Sequence, residues 1–191
     1  GAQDCRACAR TAGGAGVKRY VIAGTQPWTK TVHARVSRSV EGEWSHVGTK
    51  DELNEAVTVC PKFIFVCHWH WLVPERIWAH IDTINMHAAP LPLFRGGHCL
   101  EHQILAGHTE TVFTAHRVEA GLDSGPIYGQ RGPISLAGTK AQILDRFIKP
   151  CASLIRWIVE TEPEPVPQQG EPTIFKRLPP DEYQRFWEAR A

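Results

Sequence analysis

No stretch of this 191-residue sequence is apolar for long enough to cross a bilayer, and no secretory signal pattern opens it. An excess of one charge is also missing: 21 Lys and Arg stand against 20 Asp and Glu, a formal net charge of +1. Without a basic cluster there is no electrostatic case for nucleic acid or for an anionic membrane surface. The chain therefore reads as soluble and cytoplasmic, with no nucleic-acid and no membrane partner. Internal repeats are absent, and the length suits one domain with a sizeable core. Six cysteines are present, but only Cys5 and Cys8 form a C-x-x-C, and no second pair or His set at matching spacing accompanies it. That argues against a structural zinc site. The other four (Cys60, Cys67, Cys99, Cys151) fall in or beside apolar runs, where free cysteine acts as a small hydrophobe.

Residues 1–16 are Gly/Ala-rich and read as a flexible leader, leaving 17–191 as a single catalytic domain. Lys18–Ala23 reads as a first strand ended by Gly24, and Val32–Val36 as a second, weaker one. Thr49–Val57 is a short helix with a capping box from Thr49 to Glu52. Lys62–Cys67 ("KFIFVC") is continuously apolar, as a strand buried on both faces would be. Pro74–His80 starts a helix, Thr83–His87 is a strand, and Gly97–Ala106 is a helix stopped by Gly107. Glu110–Glu119 is β-rich, "GLDSGP" is a turn, and Tyr128–Arg131 is a further short strand. Thr139–Thr161 is the long helix. Its stripe of Leu144, Phe147, Ile148, Cys151, Leu154, Ile155 and Ile158 has helical spacing, and Pro150 inside it predicts a kink. "TIFKR" reads as an edge strand and Asp181–Ala191 as a terminal amphipathic helix. Strand and helix alternate, so the fold class is α/β, a Rossmann-like, mostly parallel sheet flanked by helices.

Asn85 and His87 lie at the carboxyl end of one strand, where open parallel sheets bind ligands. Residues i and i+2 of a strand share a side, so both side chains can face one ligand. Histidine moves protons near neutral pH. Asn offers an uncharged donor for an oxyanion. A carboxylate is needed to orient the His, and Asp123 in the rigid "GLDSGP" turn is the candidate. Each residue alone also has a plain structural reading, as a backbone-bonded His or an Asx-turn Asp.

The stretch "NMHAAPLPLFRGGHCLEHQILAGHTETVFTAHRVEAGLDSGPI" resembles the signature of folate-dependent formyltransferases. Asn85, His87, Leu91, Pro92, Arg95, Gly96, Thr109, Glu110, Thr111, Gly121, Asp123, Gly125 and Ile127 match, and the likeness runs from about Phe63 to Lys176. The resemblance implies transfer of the formyl group of N10-formyltetrahydrofolate to an amine through a tetrahedral intermediate, without metal. It implies that Asn85 holds the oxyanion, His87 relays the proton or stabilises charge as imidazolium, and Asp123 sets the state of His87. The co-substrate would lie against Trp71, Leu72, Val73, Pro74, Leu91, Val118, Glu119, Ala120 and Gly121. "APLPLFRG" would shape the channel. In "CHWHWL", His68 and His70 should face away from Trp69 and Trp71, with one pair at the pocket mouth.

Two other enzyme classes compete. "HCLEH" is literally H-x-x-E-H, so on a helix His98 and His102 could hold zinc with Glu101 as base, giving a metallohydrolase. A formyltetrahydrofolate hydrolase would use the same Asn, His and Asp and let water attack. As to the acceptor, "AGTQPWTK" lacks the Gly-rich phosphate loop of the purine-pathway members. The neutral chain, with no room for a C-terminal β-barrel, disfavours tRNA. That leaves a small-molecule amine, preferably a nucleotide-linked amino sugar. The helix after the first strand is barely visible in "TKTVHARVSRSV". A trimmed first unit would expose an apolar face and favour a homodimer.

Overall fold

The computed structural model of the protein describes residues 17–191. The expectations placed on residues 1–16, a leader carrying Cys5 and Cys8, lie outside them. In chain order the strands and helices are β1 (Arg19–Ala23), α1 (Pro27–Ser39), β2 (Glu43–Val47), α2 (Lys50–Ala56), β3 (Phe63–Cys67), α3 (Glu75–Trp78), β4 (Asp82–His87), β5 (Arg95–Gly96), α4 (Cys99–Leu105), β6 (Glu110–Arg117), β7 (Ile127–Ser135), α5 (Lys140–Thr161), β8 (Ile174–Phe175) and α6 (Pro180–Glu188). Six strands form one sheet in the order β2-β1-β3-β4-β6-β7. The first four are parallel, β6 runs antiparallel to β4, and β7 antiparallel to β6. β5 and β8 pair separately and in parallel.

All five residues of β3 are buried, as its unbroken apolar run requires. Alternation along the strands divides the core in two. Tyr20, Ile22, Phe63, Phe65, Ile84 and Met86 face α1 and α5. Val21, Ala23, Ile64 and Val66 face the other way, onto Leu53, Ile77 and Ile81. The whole predicted stripe of α5 is buried, joined by Ile143 and Val159. Its first turn is closed by a reciprocal cap: Thr139 Oγ1 accepts from the Gln142 amide, and Gln142 Oε1 accepts from the Thr139 amide. Cys67 Sγ on β3 and Cys151 Sγ on α5 meet at 3.7 Å inside this core as free thiols. Cys60, expected to be free, is disulfide-bonded.

The expected α/β architecture with a mostly parallel sheet is the one observed, and most elements fall where expected, including the Thr49–Glu52 capping box. The N-terminal part does not. Val32–Val36 is no strand but the middle of α1, whose Trp28, Val32 and Val36 recur every four residues and are buried. Pro27 at its first position favours that start, and the β-branched valines are held helical by packing. β2 was missed because it is an edge strand with alternating burial and only Val47 fully inside. The first βαβ unit is therefore whole. The apolar face from which a homodimer was expected is covered by α1. α3 begins after Pro74, which is its N-cap rather than a first-turn residue. β7 is also longer than the Tyr128–Arg131 segment expected.

Each fully buried aliphatic of α5 contributes about 1.5–3 kcal/mol by leaving water. Ile155 is completely buried in this layer. Ile155→Ala should therefore lower unfolding free energy by about 2–5 kcal/mol. Urea denaturation followed by circular dichroism would measure it, and a loss under about 1 kcal/mol would contradict the packing described.

Candidate active site

β4 carries Asn85 and His87 on one side of the sheet, two residues apart, and the turn after β6 brings Asp123 to meet both. Asp123 Oδ1 accepts from Asn85 Nδ2 at 3.1 Å. Asp123 Oδ2 accepts from the Gly96 amide at 2.8 Å and lies 3.7 Å from His87 Nδ1. The backbone at Asp123 is left-handed, with φ of 45°, a conformation that costs energy for a residue with a Cβ. Gln168 holds this turn: its Nε2 donates to the carbonyls of Asp123 and Gly125, both at 2.8 Å. Arg95 in turn holds Gln168 Oε1 through Nη2 at 2.7 Å. The signature arginine thus acts on the site through a glutamine more than 70 positions away, which no spacing in the sequence announced.

His87 Nε2 donates to the Phe94 carbonyl at 2.9 Å. Burial alone would lower the pKa of this imidazole. The Cys99 side chain, the Asp123 carboxylate and the Phe94 carbonyl outweigh it and push the pKa up to about 9. Burial would likewise raise the Asp123 carboxyl. His116, His87 and the Gly96 amide outweigh that and hold it well below the usual carboxylate range. At neutral pH the site therefore contains an imidazolium beside a carboxylate.

His116 is the buried residue that sequence reasoning passed over. It sits opposite Asn85 in the β4–β6 pairing. Its Nδ1 donates to the Arg117 carbonyl at 2.9 Å. Its Nε2 is 3.1 Å from Asn85 Nδ2 and 3.5 Å from Asp123 Oδ1. The Asn85 amide thus lies within hydrogen-bond distance of both the Asp123 carboxylate and the His116 ring. Only the antiparallel register of β6 against β4 reveals this contact.

These residues line a cavity of about 1080 Å³. Of the predicted co-substrate residues, Trp71, Leu72, Val73, Val118, Glu119, Ala120 and Gly121 line it; Pro74 and Leu91 do not. Pro74 instead caps α3, and Leu91 is packed in the core. The backbone groups of Glu119, Ala120 and Leu122 make no hydrogen bonds to other described residues, which leaves them available to read the edge of a polar heterocycle. The apolar loop after His87 is mostly structural. Thr114 Oγ1 donates to the Ala89 carbonyl at 2.6 Å, and Phe94 stacks on Phe175 at 5.4 Å. Its service to the site is to present two backbone groups, the Phe94 carbonyl and the Gly96 amide. A Cβ at Gly96 would stand 2.1 Å from the Phe175 carbonyl oxygen, and the φ there is +99°, so only glycine fits where β5 meets β8.

"CHWHWL" does not keep the expected alternation: His68 is left-handed with φ of 51°, the His70 and Trp71 rings meet at 6.1 Å, and all four residues line the same cavity. "HCLEH" does not assemble as a chelate. His98 is the N-cap of the helix with φ of 57°, and its carbonyl accepts from the His102 amide at 3.0 Å. Its Nδ1 accepts from the Leu178 amide. His102 Nε2 donates to the Lys176 carbonyl, and Glu101 accepts from Trp187 Nε1 at 2.8 Å.

The charged pair links stability to pH at both ends. His87 has a raised pKa, so its contribution is complete below about 6.5 and is lost as pH rises through about 9. Asp123 has a depressed pKa, so its contribution holds above the ordinary Asp range and is lost as pH falls through its lowered native value. Between pH 6.5 and 9.5 the wild-type chain should lose on the order of 3 kcal/mol from His87. The loss should be absent in His87→Gln. Parallel urea titrations of the two proteins measure it, and identical pH slopes would refute the assignment.

Residues 26–155 match the family model described as formyl transferase. A methionyl-tRNA formyltransferase of Xylella fastidiosa is 33% identical over 140 residues, 69% of this chain and 46% of that protein. One from Granulibacter bethesdensis is 38% identical over 82 residues, 42% of this chain and 26% of that protein. The chain thus spans less than half the length of these curated relatives. Among solved structures, the methionyl-tRNA formyltransferase from Clostridium thermocellum superposes with a TM-score of 0.81 at 29% identity, over 87% of this chain and 75% of that one. The formyltransferase PseJ from Anoxybacillus kamchatkensis, solved with UDP-4,6-dideoxy-4-formamido-L-AltNAc and tetrahydrofolate, shares the fold. Its TM-score is 0.67 at 18% identity, over 87% of this chain and 90% of that one. The order of elements, the signature residues and these matches agree, and the chain belongs to the formyl transferase family.

Proposed function

We propose that the protein transfers the formyl group of N10-formyltetrahydrofolate to an amine. The observation that carries this reading is the convergence of Asn85 and His87 on one buried carboxylate, Asp123, in the wall of a cavity large enough for two substrates. A ligand of drug size fills roughly 300–1,000 Å³. The folate would lie between the Trp71–Val73 segment and the Val118–Gly121 turn, whose free backbone groups suit a pterin edge. When bound, it supplies an electrophilic formyl carbon.

The residues of the chain have distinct tasks in this reading. Asn85 gives an amide N–H to the oxygen that gains negative charge as the amine adds. It gives up its contact with His116 to do so, and the donor is worth about 3–4 kcal/mol there. In this reading the His87 imidazolium gives a proton to N10 as the bond between the formyl carbon and N10 breaks, and the ring then takes up the proton that the added amine loses. Nε2 is tied to Phe94, and the proton on Nδ1 is the transferable one. Asp123 keeps that ring charged and oriented. Arg95 and Gln168 are positioning residues that hold the Asp123 turn.

The acceptor in this reading is a small-molecule amine, and a nucleotide-linked amino sugar fits the neutral surface of the chain. A second acceptor, an aminoacyl-tRNA, is favoured by the likeness to methionyl-tRNA formyltransferases. Formate release without any amine would instead make water the acceptor, as in a formyltetrahydrofolate hydrolase.

Calorimetry with 5-formyltetrahydrofolate tests the site first. Micromolar binding is expected, and its absence would remove the reading. Turnover with N10-formyltetrahydrofolate and an acceptor panel comes next. His87→Ala and Asp123→Ala should abolish transfer with folate affinity nearly intact. Asn85→Ala should reduce turnover by about 100- to 1000-fold. Near-wild-type turnover in Asp123→Ala would break the three-residue assignment.

A further inference from the structure

Part of the cavity wall is not used by the catalytic residues or by the proposed folate contacts. Lys140, the first residue of α5, and Arg177, just after β8, both line it. Among the described residues neither has a carboxylate within ion-pair distance. Lys140 Nζ bonds the Tyr183 hydroxyl and lies 4.8 Å above that ring. Arg177 Nη2 donates to the His70 carbonyl at 2.9 Å, and its other guanidinium donors have no partner among the described residues. Both cations act on the His68 and His98 rings, which line the same wall.

One further feature shapes this wall. Gly97 lies under Arg177, and a Cβ there would come within 2.2 Å of Arg177 Cγ. The chain keeps this position bare and so lets the arginine cross into the wall. The buried acid Glu101 on the same wall accepts from Trp187 Nε1 and, among the described residues, forms no ion pair with either cation.

From this geometry we infer an oxyanion subsite formed by Lys140 and Arg177 that binds a phosphoryl group on the small-molecule acceptor. The inference rests on the formyl-transfer reading above and narrows its acceptor to anionic amines. A guanidinium offers a planar pair of donors, and an ammonium adds a mobile point charge, the combination that suits phosphoryl oxygens. A carboxylate on the folate tail has the same chemistry, so the test separates the two sources.

The probes are pyrophosphate and 5-formyltetrahydrofolate, titrated separately by calorimetry into the full chain and into Lys140→Gln, Arg177→Gln and Gly97→Ala. The wild-type chain should bind both. Pyrophosphate should weaken by about tenfold or more in each variant, with the folate analogue within about twofold of wild type. Retained folate binding also certifies that each variant is folded. Four results overturn the inference. The wild type could bind the folate analogue but not pyrophosphate. Pyrophosphate could bind equally well to the variants. Both ligands could weaken together, which would give the cations to the folate tail. If neither ligand bound the wild type, the formyl-transfer reading would fall and this subsite with it.

Discussion

A single buried carboxylate organises the functional half of this protein. Asp123 receives a side-chain amide from β4, a backbone amide from β5 and faces two imidazoles, one on β4 and one on β6. A charge in that position survives only because every oxygen lone pair that matters is answered. The left-handed backbone at Asp123 is the local cost, and the Arg95–Gln168 relay offsets it from the far side of the turn. Remove the carboxylate and three groups lose their common partner at once: the Asn85 amide, the His87 ring and the Gly96 N–H.

The sheet explains why these groups can meet. β4 is the last parallel strand, and β6 turns back against it. That reversal places the end of β4 opposite the middle of β6, so His116 faces Asn85. It also sends the chain into the turn that carries Asp123. The rest of the fold supports this edge. α1 and α5 cover one face of the sheet through a continuous apolar layer, and α2 and α3 cover the other. The rigidity needed at the site is drawn from packing that never touches a substrate.

The C-terminal segment belongs to the site as much as the sheet does. β8 pairs with β5 next to the Asp123 turn, Thr173 Oγ1 accepts from the Phe94 amide, and Trp187 of α6 reaches back to Glu101 on α4. These contacts absorb the polar atoms of "HCLEH". His98, Glu101 and His102 become anchors for the tail, which is a structural use of a motif whose spelling suggests metal. His98 is left-handed at the cap of the helix, and its Nδ1 is taken by the Leu178 amide.

Much of this was legible in the sequence. The apolar run of β3, the capping box at Thr49 and the helical stripe of α5 each depend on residues close along the chain, and local propensity and period are enough to read them. The Asn85–His87 spacing and the Asp123 turn were legible for the same reason. What the linear order hid was decided by pairing between distant elements. Val32 and Val36 look like strand residues until the groove against α5 holds them in a helix. β2 is too polar to announce itself and forms because β1 offers it an edge. His116, Gln168, Lys140 and Arg177 carry no local signal at all. Their places come from strand register and from the path of the C-terminal tail, which only the folded chain fixes. The sequence alone therefore determined the elements and the chemical types at the strand end. The tertiary structure decided which polar groups share the Asp123 charge, because that sharing depends on contacts across dozens of residues that no local pattern encodes.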